Sequence, residues 1–499
     1  MARTRALNAS PEQELLDAAL RGELSEAQAR QLAQADSAAI VLILLALTRR
    51  IGQLQRRSAD PAAPTPATPS GMVAVYAKPT VKRRAKRPGA RNGHPGARRA
   101  PPARIDQRIE HRALTCPDCG GPLQCTQRCR TRIIEDIPEE IQPVVTEHTI
   151  HRDYCPGCKK DVEPVVPDAM PGATLGHRIV VLTAWLHYGL GVTLAQAIDI
   201  LGYHLQTTLT PGGLVDAWRR LAEILKDWYE QIAEEARKSA VLHADETGWR
   251  VNGQTRWLWC FATQHVCYYR IDRCRGSPAL QKFFIEAFAG TLVTDFWAAY
   301  LSIDADDRQY CLVHLLREME KVDLYNRSAE WCAFAKKLRR LIHDGFRLRK
   351  RPDFSPQRYA GRIALIDRRL SELATWRADD GRLLYRDDGR LLYHDADALR
   401  LAKRLRKHWN HLFTFLDKPD VPFDNNLAER MIRPAVIIRK NSLSNRSEQG
   451  AATQTILMSV YRTLKLRGHD PIRTIVAALR TYLQTGKLPP LPPPVVANG

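Results

Sequence analysis

The chain has 499 residues, an ordinary apolar content of 44% and a formal net charge of +21, with a pI near 9.7. The length implies several structural units, and the basic excess predicts a polyanionic partner, nucleic acid first. No apolar run reaches the roughly 20 residues needed to span a bilayer, and no signal pattern opens the chain, so a cytosolic, bacterial-nucleoid location without membrane contact is expected. Eleven cysteines in that setting read as metal ligands or buried thiols rather than disulfides.

Residues 1–58 read as helical. Ile40, Leu44, Leu47, Ile51 and Leu54 make a short a/d seam that suits either a zipper-like contact or plain packing. Residues 59–110 form a linker, first Pro-rich and then basic. Between 78 and 100 it holds nine Lys or Arg and no acid, including Lys82, Arg83, Arg84, Lys86 and Arg87. We expect a phosphate-contacting arm there, salt-sensitive and indifferent to sequence.

Residues 111–165 carry Cys116-Pro117-Asp118-Cys119 and Cys155-Pro156-Gly157-Cys158. Two such knuckles suit one structural Zn²⁺ held by four thiolates in a zinc ribbon. Strands are expected at 132–138 and 143–148. Cys125, Cys129, His148 and His151 are spare ligands. Residues 175–238 have the rhythm of a helix–turn–helix, which either enters a groove or packs beneath a core.

At 239–308 the pattern turns to strands: Val241–Asp245, Trp249–Val251, Thr255–Ala262 and Val266–Asp272, with Asn252-Gly253 as a hairpin turn. A helix over 278–287 and a strand over 291–295 follow. Three antiparallel strands, a helix and a further strand give the order of a ribonuclease-H-like α/β core. Residues 309–418 read as a helical insertion with helices at 311–322, 329–349, 356–378 and 395–415. Within it Asp379–Tyr385 recurs as Asp387–Tyr393. Residues 419–485 complete the core with C-terminal helices, and 486–499 is a Pro-rich tail expected to fray.

Asp245 and Asp295 end short apolar strands, and Glu429 opens a helix. Buried carboxylates are paired or metal-bound. Three of them suit two Mg²⁺ (or Mn²⁺) ions, which take oxygen ligands and clamp both oxygens of a phosphoryl displacement. Arg430, Arg433, Arg439, Lys440 and Asn441 follow Glu429, as a DNA-strand channel requires.

The knuckles, His243-Ala-Asp-Glu-Thr247, Thr294-Asp295, Asp424-Asn-Asn-Leu-Ala-Glu-Arg430 and Arg439-Lys-Asn441 together resemble the bacterial DDE transposases of the insertion sequence sixty-six family, transposase C type. The resemblance implies that Asp245, Asp295 and Glu429 are the catalytic triad and that Cys116, Cys119, Cys155 and Cys158 lie in the zinc segment. It also places His314 at the His after the second Asp, where it either orients the scissile phosphate or packs. Ser442-Leu-Ser-Asn-Arg446 lacks an aromatic expected there. The implied activity is metal-dependent cleavage at element ends and strand transfer into double-stranded target DNA. A homo-oligomer and accessory transposition proteins would be the partners. Two rival readings are a ribonuclease-H-like nuclease without joining and a non-catalytic zinc-ribbon DNA-binding regulator.

Overall fold

The computed structural model describes residues 102–124, 130–138, 141–375 and 394–495. The chain divides into two units, residues 1–78 and 79–499. The helical seam, the Pro-rich linker, the basic arm at 82–87, Cys125, Cys129 and the duplicated segment at 379–393 lie outside the described residues.

The first strands among the described residues form a small antiparallel ribbon, β1 (Asp153–Cys155) and β2 (Lys160–Val162). The strands expected at 132–138 and 143–148 are not formed; those residues run as irregular, exposed chain. Their β-branched side chains, such as Ile134 and Val144, find nothing to pack on, and a strand is stabilised chiefly by such packing.

Helices α1 (His177–Ala184), α2 (Leu194–Leu205), α3 (Pro211–Ile224) and α4 (Lys226–Arg237) come next. Thr193 opens α2 with a reciprocal capping box to Gln196, and Thr210 caps α3 ahead of Pro211. Each helix of the pair buries one stripe and leaves the other side, including Tyr203 and Val215, exposed. Leu214, Trp218 and Leu221 of α3 enter the same hydrophobic core as the sheet. Helices α1 to α4 are therefore a supporting layer of the core.

The sheet has five strands: β3 (Val241–Val251), β4 (Gln254–Ala262), β5 (Cys267–Asp272), β6 (Phe288–Thr294) and β7 (Ala305–Tyr310), in spatial order β5-β4-β3-β6-β7. The first three are antiparallel; β6 joins β3, and β7 joins β6, in parallel. Asn252 and Gly253, both at positive φ, make the β3–β4 hairpin turn that their sequence predicts. The two expected strands at 241–251 are one continuous strand. The expected helix at 278–287 shrinks to α5 (Ser277–Gln281), and Phe283 and Phe284 beyond it pack on Phe261.

The insertion is helical as expected, with α6 (Leu312–Val322), α7 (Ala329–Arg349) and α8 (Ala360–Ala374), but the single helix expected at 395–415 ends at Lys407 as α9 (Ala396–Lys407) and resumes only as the short α10 (Thr414–Asp417). Ser328 and Asp395 cap α7 and α9. These helices form a second core around Trp331, Leu338, Leu370 and Leu401, which meets the sheet at Val293 and Tyr310. Helices α11 (Asn426–Ser442), α12 (Glu448–Leu466) and α13 (Pro471–Thr485) return to the first core.

The Pro-rich tail is docked through Val495, against expectation. Leu491 is buried, Trp228 Nε1 donates to Pro489 O (2.6 Å), and Val495 N–H donates to Arg467 O (2.8 Å). A proline carbonyl remains a full acceptor, so such a segment pairs wherever donors await it. No helix among the described residues is long and apolar enough to cross a membrane.

Gly290 lets β6 approach β3. A Cβ there would stand 2.6 Å from Ser239 O and 2.9 Å from Ala240 O, both backbone atoms. Gly290→Ala is expected to destabilise the fold by about 1–3 kcal/mol, the usual cost of overpacking, read as a lowered urea midpoint at unchanged slope.

Candidate functional site

Parallel pairing sets two of the acids side by side. His243 is paired with Val293 across β3 and β6, so Asp245 and Asp295 each lie two residues further along adjacent strands. Successive strand residues face opposite ways. Thr247, two residues beyond Asp245, contacts Arg439 of α11. Glu246 points to the other face, against Tyr300 and Arg275.

The third acid arrives from far along the chain. Glu429 sits in the first turn of α11. The residue that starts this helix, Asn425, is 1% exposed. Its Nδ2 donates to Ala244 O (2.8 Å), immediately before Asp245. Its Oδ1 lies 3.0 Å from His243 Nδ1, which must donate, since Oδ1 can only accept. Its backbone N–H donates to Cys311 Sγ (3.2 Å), and Cys311 N–H donates to Thr294 O (2.8 Å), immediately before Asp295. One run of hydrogen bonds thus joins the segments that carry all three acids.

The electrostatics follow from this gathering. Burial, then the charges of Glu246, Asp295 and Glu429, push Asp245 well above the ordinary carboxylate range, against one N–H donated by Glu246. Burial also raises Asp295, although Trp297 N–H (2.8 Å) and Arg275 favour its charged form. Burial and Asp295 raise Glu246, opposed by Tyr300 and Arg275. Asp245, which has no cationic partner among these causes, is the acid most disfavoured as an anion.

Behind it lies a buried support that the sequence did not reveal. Arg275 donates Nε and Nη2 to Glu246 Oε1 (3.1 and 2.8 Å), and Tyr300 OH donates to Oε2 (2.7 Å). The guanidinium lies between the Trp257 and Trp297 rings, 4.6 and 4.0 Å from their centroids. Trp297 is also the residue whose N–H holds Asp295.

Around Glu429, Arg317 Nη1 donates to Oε1 at 3.2 Å, and His314 Nε2 lies 3.6 Å from the same oxygen. Burial lowers the His314 pKa and pushes the Cys311 thiol up to about 12.

The residues expected to line a DNA channel divide. Arg430, Arg433 and Lys440 are exposed on α11. Arg439 is turned inward onto Thr247 Oγ1 (3.1 Å) and Gly248 O. Asn441 donates to Gly191 O (3.0 Å). Asn445 accepts from Trp249 Nε1 (2.8 Å) and pairs with the end of β3, so its amide is structural.

The knuckles are each preformed. Backbone N–H groups of Cys119 and Asp118 lower the Cys116 thiol, and those of Cys158 and Gly157 lower Cys155, each helped by its partner thiol. The four sulfurs are not gathered within 4.8 Å of one another. Exposed His148 lies 3.9 Å from Asp168 rather than beside them.

A family model described as "Transposase IS66 family" matches residues 172–453, more than half of the chain and every element from α1 into α12. The chain belongs to the IS66 transposase family. Two curated relatives come from Sinorhizobium fredii. Protein y4jD is 25% identical over 402 residues, 74% of each chain. Protein y4qI is 25% identical over 282 residues, 51% of this chain and 50% of its own length. Both are named as uncharacterized proteins. For this IS66-family chain, membership implies a nucleic-acid-processing enzyme and suggests transposition and DNA binding. The match contains Asp245, Asp295, Glu429 and the insertion between the last two.

Proposed function

We propose that the chain is a DDE transposase that hydrolyses a phosphodiester at an element end and joins the freed 3′ end to target DNA. Asp245, Asp295 and Glu429 carry the reaction. The observation that carries this reading is the placement of Asp245 and Asp295 on adjacent parallel strands, with the Asn425 hydrogen bonds tying the start of the Glu429 helix to the residue before Asp245. An all-carboxylate donor set fits Mg²⁺ or Mn²⁺. Two such ions, bound there, would supply an activated water and neutralise charge on the phosphoryl group.

The chain's own part is positioning. Asn425 fixes the start of α11 against β3, and so fixes Glu429 relative to Asp245. Trp297 N–H orients Asp295. Arg317, half-exposed beside Glu429, is placed to meet phosphate, and Arg430, Arg433 and Lys440 extend that positive surface. No covalent nucleophile from the protein is needed, since placement and charge stabilisation suffice.

Strand order β5-β4-β3-β6-β7, three antiparallel strands followed by two parallel ones, supports a ribonuclease-H-like core. The two knuckles, with thiols already lowered by local N–H donors, support a structural zinc ribbon that closes when four thiolates meet one Zn²⁺. Acting on two element ends favours a homo-oligomer on double-stranded DNA.

Wild type and Glu429→Gln, incubated with Mg²⁺ or Mn²⁺ and labelled DNA bearing the element's ends, test the reading. Metal-dependent nicking and joining by wild type alone is the expected result. Full cleavage by Glu429→Gln sinks the assignment.

A further inference from the structure

We infer that Cys311, His314 and Glu429 form a binding site for one transition-metal ion of the zinc class. The ligating atoms of the three residues all lie within 4.8 Å of one another, and no other His, Cys, Asp or Glu group of three does so among the described residues. Cys311 immediately precedes α6 and His314 is three residues on, so both side chains lie on one face of the helix start. Glu429 faces them from α11.

The distances favour co-ligation over simple pairing. The 3.6 Å between His314 Nε2 and Glu429 Oε1 is too long for a hydrogen bond. It is close to the edge of a tetrahedron built on zinc bonds of about 2.0–2.1 Å, roughly 3.4 Å. The other ring nitrogen, Nδ1, is buried without a partner. Cys311 Sγ accepts the Asn425 N–H at 3.2 Å, the kind of outer contact that steadies a metal-bound thiolate.

Donor chemistry sets the class of ion. One thiol, one imidazole and one carboxylate suit Zn²⁺, whereas Mg²⁺ takes oxygen alone. Three protein ligands leave a fourth position to water. Arg317 contests Glu429 at 3.2 Å, but its side chain is 48% exposed and free to swing aside. The site stands on this geometry; only its sharing of Glu429 with a catalytic centre rests on the function proposed above.

The test counts metal. Full-length wild type, Cys311→Ser and His314→Gln are equilibrated with Zn²⁺, desalted and measured by elemental analysis, with circular dichroism confirming the fold. Each variant is expected to hold one zinc fewer per chain than wild type, whatever else the chain retains. His314→Gln decides the matter if the fully buried Cys311→Ser fails to fold. Equal zinc in wild type and His314→Gln overturns the proposal. Cleavage is not the readout, so a chain that nicks no DNA yet loses one zinc on substitution refutes the DDE reading and leaves this site standing.

Discussion

Asp245→Asn is expected to abolish strand cleavage and, in Mg²⁺-free buffer, to stabilise the protein. The first effect is at least on the order of 10²–10³ in rate, the scale of losing one preorganised electrostatic group. The second follows from proton linkage. Asp245 is held well above the ordinary carboxylate range by burial and by its acidic neighbours. The folded chain therefore keeps a proton that the unfolded chain releases near pH 4. In that window the native state binds more protons, so its stability falls as pH rises from the unfolded pKa toward the folded one. Asn carries no charge to disfavour. The melting temperature of Asp245→Asn should exceed that of wild type, by more at pH 8 than at pH 5, with wild type regaining ground on Mg²⁺ addition. A variant melting below wild type at pH 8, with no Mg²⁺ response in wild type, would contradict the account.

Arg275→Ala is expected to cost about 3–5 kcal/mol, the range for removing one partner of a buried ion pair. Its guanidinium neutralises Glu246, whose side chain is 3% exposed, and is held between two indole rings. Removing it leaves a buried carboxylate with Tyr300 as its remaining side-chain donor. Urea denaturation would show a large fall in midpoint. Glu246→Leu combined with Arg275→Met should recover most of the loss, because an apolar pair of similar volume leaves no orphan charge. If the double variant were as unstable as Arg275→Ala, packing rather than charge would explain the effect. Since Trp297 covers Arg275 and holds Asp295, Arg275→Ala should also slow cleavage.

Much of this architecture was legible in the residues. The apolar run before Asp295 marked the end of β6, whereas Asp245, expected at a strand end, lies within the continuous β3; α7 stood where it was expected, to the residue, while the helix expected at 395–415 broke after Lys407. Strand β7 was missed because Ala305-Asp-Asp-Arg-Gln-Tyr310 has too little apolar alternation to read as a strand. Glu246 carried a usable signal. Neighbouring acids on one strand face opposite ways, so only one of the two could join Asp295. Asn425 carried none, because its partners lie 181 and 182 positions earlier. Arg439 was expected to line a DNA-strand channel; contacts with β3 across a comparable span drew it and Asn445 inward.

The Asn425 clamp also governs when the site exists. Both aspartates are made before the helical insertion, but the residue that locks the last acid beside them follows all of it, and its contacts span 114 and 181 positions. Contacts of such separation close late, after local helices have formed. A nascent chain, or one cut short anywhere before α11, carries at most two of the three acids and no means of completing the set. On the function proposed above, cutting competence therefore waits until α11 has been made.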